Sequence, residues 1–165
     1  MTPAPLQRPL PVWVGARGPR GARLAGRTGA GLLWIDRGLF PAYLAGLAQA
    51  DPPALPRVGG LANVFLADDP DRVLAAVREH GRRNRASYED AGAGGPAGRE
   101  AAFPRLRVLT PAAAAAWISE LCAGLPVTDV FCFGDIGGLD DDLVERHTEL
   151  AVRELAPVLA GEGEL

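Results

Sequence analysis

Pro11-Val12-Trp13-Val14-Gly15-Ala16-Arg17-Gly18-Pro19-Arg20, continued by Gly21-Ala22-Arg23-Leu24-Ala25-Gly26-Arg27-Thr28-Gly29-Ala30-Gly31-Leu32-Leu33, reads as strand, loop, helix and strand. Val12, Trp13 and Val14 favour extended backbone. They run into a turn of small residues, and a helix opens at Pro19, where a missing N–H is no loss. Gly15, Ala16 and Gly18 are small enough to let a ligand approach the backbone. The first N–H groups of the helix and its dipole favour an anion there, and Arg17 and Arg20 add planar cationic donors. A phosphate held at a strand–helix junction is the expectation; a tight connecting turn without a ligand is the plainer alternative. Arg20, Arg23 and Arg27 share one face of the same helix, as a solvated face or as a docking strip for an anionic cofactor tail.

Outward from this stretch, strands and helices alternate. Gly31 to Ile35 reads as a second strand with the exit Asp36-Arg37-Gly38. A helix over Pro41 to Ala50 is stopped by Asp51-Pro52-Pro53. Gly60 to Ala67 reads as a third strand. Asp69 and Pro70 then make a cap and first turn, and Val73, Leu74 and Val77 share one face of the helix that runs towards Tyr88. Its later part, Arg82-Arg83-Asn84-Arg85, is a solvated basic face, and Gly92 to Gly98 is a flexible loop. Thr110-Pro111 repeats the cap-and-proline start, with Ile118, Leu121, Cys122 and Leu125 as a core stripe. Asp129 to Phe133 is read as the fourth strand, Gly134 to Gly138 as its exit loop, and Asp140 or Asp141 as the cap of a last helix. Val144, Ala151, Leu155 and Val158 line one side of that helix. Near-continuous apolar strands joined by helices predict an α/β fold with a parallel, helix-covered sheet. The expected organisation is a Pro-rich segment over 1–10, one domain over 11–160 with a loop near 91–104, and a tail over 161–165.

Composition narrows the function. The 165 residues are 48% hydrophobic and 22% charged, as in a soluble globular protein, and a chain of this length can bury about 70% of its unfolded surface. A net charge of −3 argues against a nucleic-acid partner. All 17 basic residues are arginine, which excludes Schiff-base lysine chemistry and weakens any single arginine as a signal. Cys122 and Cys132 have neither metal nor redox spacing and read as reduced thiols. Met1 to Leu10 lacks the pattern of a signal peptide, and no apolar run approaches the roughly 18 residues of a membrane span. The expected location is therefore the cytoplasm. His80 and His147 stand alone without metal spacing, His147 reading as a packed side chain. Asp140, Asp141 and Asp142 read as acids at a helix start rather than as a metal site. Asp135 lies in a loop after a strand, where barrel enzymes place functional groups. No Ser–His–Asp arrangement or acid–base pair stands out, so no catalytic residue is named, and any chemistry belongs to a cofactor that the protein positions.

Four motifs in order resemble the bacterial luciferase-like flavin- and deazaflavin-dependent oxidoreductases. They are Pro11 to Gly31, Val64 to Pro70, Val108 to Pro111 with its helix, and Asp129 to Leu139 with the Leu150 to Leu159 helix. The resemblance covers about Pro9 to Ala160. Members of that family are (β/α) barrels of eight strands, a fold of about 250 residues. The resemblance therefore implies a partial TIM-type barrel, the C-terminal half of about four parallel strands, as a truncated form. It implies a cofactor phosphate on Gly15, Ala16, Arg17 and Gly18, with Arg20 beside them and Trp34 to Arg37 next to the cofactor. Asp36 and Arg37 depart from the small or hydroxyl residues of the family there. The cofactor implied is flavin mononucleotide (FMN) or the deazaflavin coenzyme F-420. The reaction implied is hydride transfer or oxygen-dependent monooxygenation.

A four-stranded half-barrel leaves two open sheet edges and one uncovered apolar face. Self-association, or docking with a complementary N-terminal half, is expected. The alternatives are a non-catalytic binding module or remnant of the same fold, and a free-standing α/β domain.

Overall fold

The structure, a computed structural model, describes residues 10–90, 106–135 and 138–161. The described chain divides into two compact units, one formed by residues up to Leu61 together with Cys122–Phe131, the other by Ala62–Leu121 together with the residues from Cys132 onward.

In unit one the opening stretch folds as β1 (Trp13–Val14), α1 (Pro19–Arg27) and β2 (Gly31–Leu33), followed by α2 (Phe40–Leu47) and β3 (Val58–Leu61). The chain returns to this unit to add a last strand, Val127–Phe131. The four strands form one wholly parallel sheet, with β1 at one edge and Val127–Phe131 at the other. This is the expected α/β architecture of parallel strands with covering helices. Among the described residues the sheet is open, without closure into a barrel.

One face of the sheet carries the core. Leu32 and Val58 pack with Ala22 and Ala25 of α1 and with Leu39 and Tyr43 of the α2 region. The two helices touch backbone to backbone. A Cβ on Gly26 would meet the carbonyl of Tyr43 and the amide of Leu47, and one on Gly46 would meet the carbonyl of Arg23. Glycine is required at both positions for this close approach. Tyr43 is wholly buried, and its hydroxyl donates to the Ala30 carbonyl at 2.9 Å and accepts from the Arg57 amide at 3.2 Å. On the opposite face the Trp13 ring lies across β2 and β3, where a Cβ on Gly31 would fall 2.5 Å from its Cε3 and one on Gly59 3.1 Å from its Cζ3. The Arg57 guanidinium sits 5.4 Å from the centre of that ring.

Unit two holds β4 (Val64–Leu66), α3 (Pro70–Asp90), β5 (Arg107–Leu109), the α4 helix (Pro111–Cys122, whose final residue belongs to unit one) and α5 (Asp141–Leu150). A π-helical stretch, Ala151–Leu155, leads into α6 (Ala156–Gly161). Strands β4 and β5 pair in parallel as a separate ribbon. Phe65, Val77 and Leu139 form its core, with Val73, Val108, Leu143 and Val144 against them. The expected helix starts are present: the Asp69 carboxylate accepts from the Arg72 amide at 3.3 Å, and the Thr110 hydroxyl from the Ala113 amide at 3.3 Å.

Several expectations are corrected. The run Gly60 to Ala67 is two strands with different partners, because the chain leaves one sheet at Leu61 and joins another at Val64. Arg107–Leu109 is a strand that the sequence reading did not assign. The last strand of the four-stranded sheet, β6, is Val127–Phe131, two residues earlier than expected. Asp140 occupies the cap position of α5 but makes no side-chain capping bond. Val158 is 48% exposed and Leu121 and Cys122 are half-buried, so neither stripe is wholly core. The buried positions at the C-terminal end are His147, Leu150 and Leu155. The last two are five apart, the spacing of a π turn, which shifts the face that a regular helix would have buried. The Gly92 to Gly98 loop lies outside the described residues, as does the tail over 161–165 beyond Gly161, which ends the last helix.

Candidate functional site

The turn between β1 and α1 is anchored from below. Ala16 is 4% exposed and points into the core of unit one. Gly21 makes room for it, since a Cβ there would sit 3.0 Å from that of Ala16. With Ala16 turned inward, Gly15 and Arg17 are exposed and Gly18 half-buried. Gly18 is extended (φ −161°), a conformation open to any residue. What glycine contributes at Gly15 and Gly18 is therefore space: a Cβ at either would have no neighbour within 4 Å. Gly18 is the cap of α1 and supplies no side-chain bond, Pro19 follows, and no acid lies in the first turn. Helix geometry leaves the Arg20 and Gly21 amides without an intrahelical acceptor. The end of α1 thus presents backbone donors, a favourable dipole and the exposed Arg20 to one open patch, an arrangement suited to an anion.

Trp34 and Asp36 leave the same end of the sheet. Val14 of β1 faces Leu32 of β2 in parallel register, so the Gly15–Gly18 turn and the Trp34–Asp36 loop both follow C-terminal strand ends. Such ends are where α/β sheets bind ligands. Trp34 is half-buried and packs on the core. Asp36 shapes its own loop: Oδ1 accepts from the Gly38 amide at 2.7 Å. Arg37 reaches across unit one, its Nε donating to the Ala123 carbonyl at 3.0 Å. Arg20, Arg23 and Arg27, with Pro19 and Leu24, line a shallow hollow of about 230 Å³ on the outer side of α1.

Unit two has its own polar centre, which the sequence reading identified only as a packed histidine. His147 is 0% exposed. Its Nδ1 accepts from the Leu66 amide at 2.9 Å, which leaves the proton on Nε2 to be donated to the Phe133 carbonyl at 2.9 Å. The ring stacks on Phe65 with centroids 4.4 Å apart. Burial pushes the His147 pKa down, against the pull of the Phe133 carbonyl. Both nitrogens are engaged and the ring is neutral, so His147 acts as a structural pin. Its neighbours Leu66 and Phe133 lie far from it in sequence, and no local pattern points to them.

Nearby in unit two, Phe65, Leu66, Val73 and Leu143 floor a hollow of about 510 Å³ rimmed by charged groups. One rim is closed by Arg146, which holds Asp68 in two bonds of 2.8 and 2.7 Å. That guanidinium keeps the Asp68 carboxyl below the usual carboxylate range. Asp135 is exposed at the start of the loop after β6. Cys122 and Cys132 are free, and burial raises both thiols. Among the described residues no group of three His, Cys, Asp or Glu is placed to hold a metal, and no helix is long and apolar enough to cross a membrane.

No curated protein matches the chain. The family model of luciferase-like monooxygenases matches residues 1–120, which include the β1–α1 turn, both helices of unit one and the β4–α3 start. With 120 of its 165 residues matched and the parallel α/β sheet expected of such a fold, the chain belongs to the luciferase-like monooxygenase family, whose members generally work with flavin-type cofactors.

Proposed function

We propose that the Gly15–Gly18 turn holds the phosphate of FMN or of coenzyme F-420, and that the chain serves a flavin-type oxidoreductase. The observation that carries this reading is the open ground over Gly15 and Gly18 at an uncapped helix start. The residues fit the group: backbone amides and the Arg20 guanidinium receive the phosphate, Ala16 fixes the turn from inside, and Asp36 holds the neighbouring loop through its bond to Gly38. Trp34, at the adjacent strand exit, is a wall for the cofactor. When bound, the cofactor supplies hydride transfer or oxygen chemistry; the protein positions it and excludes water. Both edge strands of the four-stranded sheet, β1 and β6, are open to further pairing among the described residues. Our reading is that a second copy or a complementary half-barrel completes the site.

Fluorescence titration with FMN and with coenzyme F-420 tests the reading. Saturable binding that Gly15→Glu abolishes is expected, with the circular dichroism spectrum unchanged, because the new side chain enters open space. Failure of both cofactors to bind refutes it. Binding without reduction of the cofactor by any hydride donor favours a binding module instead.

A further inference from the structure

We propose that the outward face of α2 is a dimer interface that takes the same face of a second copy, with the two helices antiparallel. The inference is independent of the cofactor reading. From Leu39 to Ala50 the chain holds no charged residue, and of the described helices with eight residues or more only α2 lacks one. Tyr43 and Gly46 are buried against unit one. The side turned to solvent is apolar as well: Pro41, Leu44, Ala45 and Ala48 are exposed, at the spacing of a single helical stripe. Leu44 is 41% exposed in the middle of it. A helix that is apolar all round belongs in an interior, with both sides covered. The sheet and α1 cover one side of α2, and the stripe is the other.

A second copy fits this stripe in three ways. The stripe is uncharged, so its copy sets no like charge against it. With the helices antiparallel about a two-fold at position 46, Leu44 of each copy faces the small Ala48 of the other, the reciprocal contact of an isologous pair. The same register sets Asp51, exposed just beyond the helical turns that end at Ala50, beside Pro41 of the partner. There the first turn of α2 has no acid of its own, and the helix dipole favours one. A parallel pair brings the two Asp51 carboxylates together instead. The dimer is expected to be weak, in the micromolar range. Two helices of this length cover less than the roughly 1,600 Å² of a standard interface, and the α1 arginines on the flank repel their copies. The opposite face of the sheet, with Trp13, stays free in such a pair.

Sedimentation equilibrium of the full chain over a range of concentrations tests this. A reversible dimer is expected, and it persists at about 0.5 M salt because its face holds no ion pair. Leu44→Glu is expected to weaken it at least about tenfold by placing two carboxylates in the apolar contact. The circular dichroism spectrum stays unchanged, since Leu44 already faces solvent and glutamate favours helix. Phe131→Glu, on the β6 edge strand, is expected to leave the dimer intact. Cross-linking gives a second readout, with Cys122 and Cys132 replaced by alanine. A short bis-maleimide is expected to join Ala45→Cys, near the two-fold, to its copy. Pro41→Cys, about 15 Å from its copy along the helix axes, is not joined. A monomer at every concentration overturns the interface and leaves the stripe to another segment or another protein. A dimer that Phe131→Glu dissolves and Leu44→Glu does not belongs to the open sheet edge, which also overturns it. Equal cross-linking of both cysteine variants overturns the antiparallel register.

Discussion

Arginines on helices α3 and α5 of unit two are held in ion pairs, while, among the described residues, those along α1 of unit one are not. In unit two, Arg146 is clamped by Asp68 and Glu149, and Arg82 and Arg83 share Glu79. In unit one the helix arginines are unpaired among the described residues, and cohesion comes from glycine-mediated helix contact and one buried tyrosine. A cation satisfied within the fold is a surface feature of modest worth, while one left without an internal partner is available to a ligand. Unit two in turn relies on a neutral imidazole to tie β4 to the segment after β6. Close packing and polar pinning are thus separate devices, and substitutions can distinguish them.

The largest effect is expected at the helix crossing. Gly46→Val drives a side chain into the backbone of α1, with a cost above about 3 kcal/mol. Thermal unfolding measures it, and hydrogen exchange is expected to show lost protection in α1 and α2 first. Wild-type melting would end the idea that backbone contact holds unit one. His147→Ala comes next. It orphans the Leu66 amide and the Phe133 carbonyl and removes the stack on Phe65, a loss of about 2–4 kcal/mol by urea unfolding. The comparison sharpens if its exchange signature is confined to unit two. Tyr43→Phe keeps the ring but leaves the Ala30 carbonyl and the Arg57 amide unbonded, a loss of about 1–2 kcal/mol in unit one.

The smallest effect is the pH response of the pin. Burial lowers the folded His147 pKa below its ordinary 6.5, so the neutral ring is favoured in the fold. Its contribution is complete above pH 6.5 and is lost as pH falls from there through the folded value. Urea midpoints at pH 7.5 and 5.5 are expected to differ in the unaltered chain and to converge in His147→Gln. An unchanged difference in the variant assigns the slope to other groups. The paired carboxylates Asp68 and Glu79, both with lowered pKa, respond at more acidic pH, below 3.8 and 4.5.

Signals carried by neighbouring residues were legible in the sequence. Pro19, Asp69-Pro70 and Thr110-Pro111 mark helix starts because caps and first-turn prolines act within four residues. The small-residue turn over Gly15–Gly18 was legible for the same reason, as was the arginine face of α1. Pairing was not. Gly60 to Ala67 is one apolar run, and nothing in its periodicity says that it changes sheets between Leu61 and Val64. Arg107–Leu109 is three residues long with an exposed arginine, too short to alternate visibly. The π-helical turn at 151–155 leaves no mark that a 3.6-residue period detects, and so a helical reading puts Val158 in the core. The packing of His147 was legible, but its partners, like those of Tyr43, were not, because they lie 13, 14 and 81 residues away. In the candidate site, the sequence indicated small residues at the turn. It could not tell that Ala16 is an anchor while Gly15 and Gly18 face open space.

Trp13, flat against two glycines and beneath a guanidinium, gives the molecule a natural optical reporter. Its ring lies on the sheet face away from α1 and α2 and is still half-exposed. A second chain covering this face would remove water from the indole, and its emission would move to shorter wavelength. With Trp34 and Trp117 replaced by phenylalanine, dilution would test for such assembly, without a label, from the colour of a single residue.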